Sequence, residues 1–177
     1  MYRNISCTIN DKSIGLQVDI RDSLLDVLRK RGYSGVKEGC GVGECGACTV
    51  LVDDTPIDAC LYLAIWADGR TIRTIEGVSK DGNLSEVQQA YLDTGAVQCG
   101  FCTPGFVMTT TAFVEKHRHN PDISREEIRK AHAGNLCRCT GYEGIVQAVE
   151  KCLHKKQPDG AAHQNEGCGC SKSEDKM

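Results

Sequence analysis

Cys40, Cys45 and Cys48, followed at a distance by Cys60, define the first chemistry this chain can support. Cys-x4-Cys-x2-Cys ahead of a separate fourth cysteine is the plant-type spacing for a [2Fe–2S] cluster, in which four thiolates hold two irons. Gly41, Gly43 and Gly46 lie between these cysteines. Residues without a Cβ permit the positive φ and close backbone approach that a loop wrapped around inorganic sulfide requires. Two other readings use the same stretch. Gly41-x-Gly43-x-x-Gly46 satisfies the dinucleotide-binding pattern, but that pattern needs a strand before it and a helix after it. Here a helical segment precedes and the β-rich Thr49-Val50-Leu51-Val52 follows. Cys45-Gly-Ala-Cys48 has the form of a redox dithiol, yet such a site has one pair beside a βαβ unit, not four cysteines in series.

A second constellation lies further along: Cys99-Gly-Phe-Cys102, then Cys137-Arg-Cys139. Each pair stands ahead of a predicted helix start. A thiolate cluster is net anionic, and helix N-termini offer unpaired N–H groups and a positive dipole end. Two such ends facing one another could enclose a second [2Fe–2S] cluster. The spacing alone also admits a structural zinc, which four thiolates would close into a redox-inert tetrahedral site.

The elements that must position these cysteines fall into two groups. Ile5, Cys7 and Ile9 alternate, Asn10-Asp11-Lys12-Ser13 turns, and Ile14, Leu16, Val18 and Ile20 alternate again, which predicts a hairpin over 3–20. Asp22 or Ser23 caps a short helix carrying Leu24, Leu25, Val27 and Leu28 that stops at Gly32. Beyond the cysteine loop come a strand at 48–52, a turn at Asp53-Asp54-Thr55-Pro56, a short strand reaching Cys60 and a last strand over 71–75. Strand, strand, helix, metal loop, strands is the order of a β-grasp ferredoxin, and Trp66 is expected to pack within it. After a linker marked by Gly77, Ser79, Lys80, Asp81, Gly82 and Asn83 the strand pattern disappears. Capping boxes at Ser85-x-x-Gln88, Ser124-x-x-Glu127 and Thr140-x-x-Glu143, with Thr103-Pro104 opening another helix, predict a four-helix bundle. The fold class is therefore α+β. We expect a plant-type ferredoxin domain over 1–76, a linker at 77–84, a helical cluster-binding domain over 85–154 and a disordered tail over 155–177.

Composition excludes several classes. The chain holds 21 basic and 24 acidic side chains, a formal net charge of -3, with no basic stripe that would point to nucleic acid. Its longest apolar run, Ala59 to Ala67, falls far short of a membrane span, and its first residues lack the charged start and apolar core of a signal peptide. Twelve cysteines under those conditions favour thiolates holding metal in a reducing, cytoplasmic setting.

Gly39-Cys-Gly-Val-Gly-Glu-Cys-Gly-Ala-Cys-Thr, Gln98-Cys-Gly-Phe-Cys-Thr-Pro-Gly and Gly134-Asn-Leu-Cys-Arg-Cys-Thr-Gly-Tyr occur in that order. Together they resemble the iron–sulfur component of the molybdenum hydroxylases, the xanthine dehydrogenase and aldehyde oxidase family, over about residues 3–154. The overall form is most similar to the small subunit of bacterial xanthine dehydrogenases. The resemblance selects a second [2Fe–2S] cluster over zinc. It implies that Cys99, Cys102, Cys137 and Cys139 hold the cluster nearest a molybdenum–pterin centre, and that Cys40, Cys45, Cys48 and Cys60 hold the one nearest a flavin. It places Gln98, as a hydrogen-bonding amide, and Cys139 among the residues that meet the pterin cofactor. The implied function is an electron-transfer subunit, relaying single electrons from a molybdopterin-binding large subunit to an FAD-binding subunit, with purine oxidation as the implied activity of the complex. A freestanding two-cluster ferredoxin and a structural zinc protein are the alternatives.

The remaining chemistry-bearing residues have plainer readings. Cys7 and Cys152 lie on apolar faces and are expected in cores. His117 and His119 close the second bundle helix, where a cation favours the dipole; His132 has no assignment. Cys168 and Cys170, in the polar tail, read as part of a dispensable extension.

Overall fold

A computed structural model describes residues 1–118, 120 and 122–154. His119, and the tail with Cys168 and Cys170, lie outside the described residues.

The N-terminal hairpin forms from β1 (Tyr2–Ile9) and β2 (Lys12–Asp19), joined by Asn10 and Asp11 alone. Both turn residues take positive φ, +48° and +65°, the conformation of a two-residue hairpin turn whose twist matches its strands. The turn is thus two residues shorter than the sequence suggests, because Lys12 and Ser13 pair back with Ile9 and Thr8. Helix α1 (Leu24–Lys30) begins at Ser23, whose hydroxyl accepts the Asp26 N–H while the Asp26 carboxylate accepts the Ser23 N–H. Strands β3 (Thr49–Val52), β4 (Thr55–Asp58) and β5 (Thr71–Arg73) complete a mixed sheet of order β2-β1-β5-β3-β4, with β1 and β5 parallel. The connection from β3 to β4 is again two residues, Asp53 and Asp54, both at positive φ. Strand β4 ends at Asp58, so Cys60 sits in the turn beyond it rather than on a strand.

Alternation puts Ile5, Cys7 and Ile9 on the inner face of β1, against Leu16, Val18, Leu24, Leu28, Val50 and Ile72. Trp66 does not join this core. In the 3₁₀ turn Ala64–Ala67, three residues per turn place Ala64 and Ala67 on the same side, where both are fully buried, and send Trp66 outward at 55% exposure. It instead meets Tyr62 edge to face.

Four further helices build a second core: α2 (Glu86–Asp93), α3 (Thr103–His117), α4 (Arg125–Ala131) and α5 (Glu143–Leu153). The boxes at Ser85 and Ser124 cap α2 and α4 as expected. Val87, Tyr91, Phe106, Val107, Ile128, Ile145, Val149 and Cys152 pack between the helices. Lys151 of α5 pairs with Asp93 of α2. The box expected at Thr140 does not form. Helix α5 starts at Glu143 behind Tyr142, which has φ +70° and gives no side-chain cap, while the Thr140 hydroxyl is committed to the Cys137 sulfur. Glu143 pairs with Arg125 instead. None of the described helices is long and apolar enough to cross a membrane.

The two cores are joined along α3 and β3. Arg73 of β5 makes a bidentate contact with Glu115 of α3, at 2.8 and 2.7 Å, and also reaches Asp54.

Candidate metal centres

The first cysteine set occupies the irregular loop between α1 and β3, closed by the turn after β4. Gly41, Gly43 and Gly46 take φ of +68°, +77° and +65°, a path open to them for want of a Cβ. That path turns backbone N–H groups inward: those of Val42 and Glu44 donate to Cys40 Sγ at 3.5 and 3.3 Å. These two donors, then the Cys45 thiol, bring the exposed Cys40 thiol down to about 7. Cys48, at the opposite side of the set, is buried against β3, and that burial pushes its thiol up to about 12.

The second set brings together two loops. Cys102 is the N-cap of α3, with Pro104 following in the first turn, whereas Cys137 and Cys139 lie in the loop between α4 and α5. Burial raises the Cys102 thiol to about 12, and the neighbouring Cys137 thiol acts in the same direction. At Cys137 burial also pushes upward, but the hydroxyl and N–H of Thr140 help to outweigh it, leaving that thiol below its ordinary value. Thr140 Oγ1 and N stand 3.1 and 3.4 Å from Cys137 Sγ.

Within each set the thiols gather in twos. Cys45 is the thiol that bears on Cys40, and Cys60 the one that bears on Cys48. Cys99 is in contact with Cys139, and Cys102 with Cys137. Among the described residues, no three His, Cys, Asp or Glu side chains converge on a point fit for one ion, and the described cysteines are all free thiols. Two thiolates per metal, repeated side by side, is the donor arrangement of a dinuclear iron–sulfur cluster. A structural zinc needs four donors around one point.

Gln98 is exposed, directly ahead of Cys99, and its amide makes no hydrogen bond among the described residues. It does not cap backbone. Cys139 is exposed as well. Cys7 and Cys152 are buried in the two cores, as their spacing suggests. His117 ends α3 and leans on Phe113.

Several contributing residues have roles that the sequence does not reveal. The buried Asn135 side chain donates to Gly46 O at 3.0 Å and Thr49 Oγ1 at 3.3 Å, and accepts from Thr109 Oγ1 at 2.8 Å. Gly105 of α3 passes so close to the first loop that a Cβ there would lie 2.1 Å from Gly46 O. His132 is buried behind this junction. Its Nδ1–H donates to Ile128 O at 2.8 Å, because a carbonyl can only accept. Nε2 therefore accepts from Thr110, whose oxygen in turn receives the Tyr91 hydroxyl. Asn135 lies inside the Gly134–Tyr142 motif, but nothing in that motif marks it as a link between the two cysteine sets.

Comparison with known proteins agrees with this geometry. Residues 7–64 match the family described as "2Fe-2S iron-sulfur cluster binding domain" and residues 74–150 the "[2Fe-2S] binding domain" family. The chain is 58% identical over 152 residues to the xanthine dehydrogenase iron-sulfur-binding subunit of Escherichia coli O157:H7, covering 86% of this chain and 95% of that one. It is 47% identical over 155 residues to the nicotinate dehydrogenase small FeS subunit of Eubacterium barkeri, covering 85% and 97%. A solved structure of quinoline 2-oxidoreductase from Pseudomonas putida 86 superposes with a TM-score of 0.80 at 42% identity, covering 86% of this chain and 94% of the matched one.

Proposed function

This chain belongs to the iron–sulfur subunits of the molybdenum hydroxylases, the xanthine dehydrogenase and aldehyde oxidase family, and on that premise we propose a ligand set for each of its two clusters. Cys40, Cys45, Cys48 and Cys60 hold one [2Fe–2S] cluster, and Cys99, Cys102, Cys137 and Cys139 hold the other. The observation that carries this assignment is the gathering of the eight thiols into four pairs, two pairs to a site. The units that carry them are residues 1–76 and 85–154, joined by 77–84; the two separate hydrophobic cores support that division.

The chain is the electron-transfer subunit of an oxidoreductase complex and oxidises no substrate alone. When bound, a [2Fe–2S] cluster supplies a one-electron carrier. The protein's own groups make that charge tolerable. The Val42 and Glu44 N–H groups face the Cys40 sulfur and favour its thiolate. Ligating thiols must surrender their protons when metal enters, and burial makes that loss hardest at Cys48 and Cys102, so loading of either site releases acid.

The partners are a molybdopterin-binding large subunit and an FAD-binding subunit. The second cysteine set faces the molybdenum partner, with the free amide of Gln98 and exposed Cys139 meeting the pterin, and the first set faces the flavin partner. We take xanthine or a related purine as the substrate of the complex. Greater identity to the xanthine dehydrogenase subunit than to the nicotinate dehydrogenase subunit, 58% against 47%, supports that choice. The free cysteines suit a reducing compartment, and we place the complex in the cytoplasm.

Anaerobic purification with iron, acid-labile sulfide and zinc analysis tests the cluster assignment. The expected result is about four irons and four sulfides per chain, with two electron paramagnetic resonance signals that appear on reduction. Two irons with one zinc would overturn the assignment of the second set. Co-purified subunits containing molybdenum and flavin, and oxidation of xanthine but not nicotinate by that assembly, are the expected partner and substrate results. A stable monomer that exchanges between unrelated reductases would favour the freestanding ferredoxin instead.

A further inference from the structure

Residues 137–142 form a closed hydrogen-bonded circuit around one sulfur. The Cys137 N–H donates to the Tyr142 hydroxyl at 2.9 Å, the Tyr142 N–H donates to Thr140 Oγ1 at 3.3 Å, and Thr140 Oγ1 stands 3.1 Å from Cys137 Sγ. A hydroxyl has one proton to give. With its oxygen already accepting from Tyr142, the Thr140 proton is directed at the sulfur. The Thr140 N–H adds a second donor at 3.4 Å.

Tyr142 holds this circuit in an uncommon conformation. Its φ of +70° lies in the left-handed region, where a bulky residue needs support from its surroundings. That support comes from its ring, set edge-on to the buried Phe106 of α3. Helix α5 starts without a side-chain cap as a result. The loop therefore forgoes a capping hydroxyl, and that hydroxyl is aimed at a cysteine.

We propose that Thr140 tunes the reduction potential of the centre held by Cys99, Cys102, Cys137 and Cys139, with Tyr142 as the residue that positions its hydroxyl. The inference rests on the ligand assignment made above. A donor to a ligating sulfur draws negative charge away from it, which favours the reduced, more negative form and raises the potential. Different donors to the two sets of sulfurs would give the two centres different potentials. The asymmetry is present in the side chains. Both donors to Cys40 are backbone N–H groups, whereas among the described residues Thr140 is the one side-chain hydroxyl donating to any of the eight sulfurs.

The test is a potentiometric titration of the intact chain in its purified complex, followed by electron paramagnetic resonance, for the wild type, Thr140→Val and Thr140→Ser. The helical-domain signal is identified as the one that survives Cys45→Ser. Thr140→Val should shift its midpoint to a more negative potential, Thr140→Ser should return it near the wild-type value, and the other signal should stay in place. An unmoved midpoint in Thr140→Val at full iron content would overturn the proposal, as would equal shifts in the Val and Ser variants. If Thr140→Val fails to load, Thr140→Ala, which removes the same hydroxyl with less crowding, is titrated instead. Loss of iron from both, with loading kept in Thr140→Ser, would overturn tuning in favour of a purely structural hydroxyl. A wild-type second site without iron would remove the centre itself, an outcome read from the metal analysis before any titration.

Discussion

The carbonyl of Cys45 accepts the backbone N–H of Leu136 at 2.9 Å, so the loop of the first cysteine set is bonded directly to the residue preceding Cys137. Asn135, one position earlier, fastens the same junction from its side chain, reaching Gly46 O, Thr49 and Thr109. The two cysteine sets are thus tied to one another by one polar node as well as by the chain that connects them.

Asn135→Ala tests that node. It takes the acceptor from the Thr109 hydroxyl, while Gly46 O keeps its two donors from Thr49, in a site where Asn135 itself is 5% exposed. Losing a buried hydrogen-bond partner costs about 1–3 kcal/mol. Denaturant unfolding of the loaded chain should show that loss, whereas a change within about 0.5 kcal/mol, the range of ordinary surface substitutions, would mean the node contributes nothing to cohesion.

Gly105→Ala addresses the same junction from α3. Its Cβ would meet Gly46 O at 2.1 Å, and backbone on both sides leaves little room to yield. Overpacking of this kind costs about 1–3 kcal/mol. Gly134→Ala is the matched control: nothing lies within 4 Å of its Cβ, and melting temperature should barely move. Equal melting shifts in the two variants would show that helix approach is not what Gly105 serves.

Cys45→Ser should remove one of the two reduced-state resonance signals and about half the iron, since each [2Fe–2S] cluster takes four thiolates. The second site is expected to stay loaded because its thiols come from other loops. Disappearance of both signals would reveal that the shared node couples assembly of the two sites.

Burial lowers the affinity of His132 for a proton, offset only in part by the Ile128 carbonyl. Unfolding releases the ring to an ordinary value near about 6.5. The unfolded chain then binds more protons below that value, so the contribution of His132 to stability is intact above about pH 6.5 and is lost as pH falls through the depressed folded value. Unfolding free energies of the wild type and His132→Gln, compared between about pH 5 and pH 8, should differ in slope on the acid side, with the steeper fall in the wild type. Parallel curves would show that the ring takes up its proton in place.

Local pattern was sufficient wherever the determining groups are near neighbours. Ser23, Ser85 and Ser124 cap their helices through residues three positions on, and alternation in β1 and β2 predicts the buried face correctly. The same logic misreads Thr140, whose spacing to Glu143 satisfies a capping box. A competing acceptor, the Cys137 sulfur, lies equally near and takes the hydroxyl. Trp66 is misplaced for a related reason: its apolar neighbourhood suggests burial, but the 3₁₀ register gives the inward positions to Ala64 and Ala67.

The chemistry available was legible along the chain, because cysteine identity, spacing and the glycines between are covalent facts that no packing can alter. So was the two-part order of sheet and helices, since each element is specified by residues within a few positions. Tertiary structure alone decided how the cysteines pair across the chain, that Asn135 reaches Gly46 across 89 positions, that Gly105 must lack a side chain, and that His132 is buried in a fixed tautomer. Those contacts exist only once α3 lies against β3 and the first cysteine loop. No local pattern encodes that approach, because it depends on how two separately formed cores fit together.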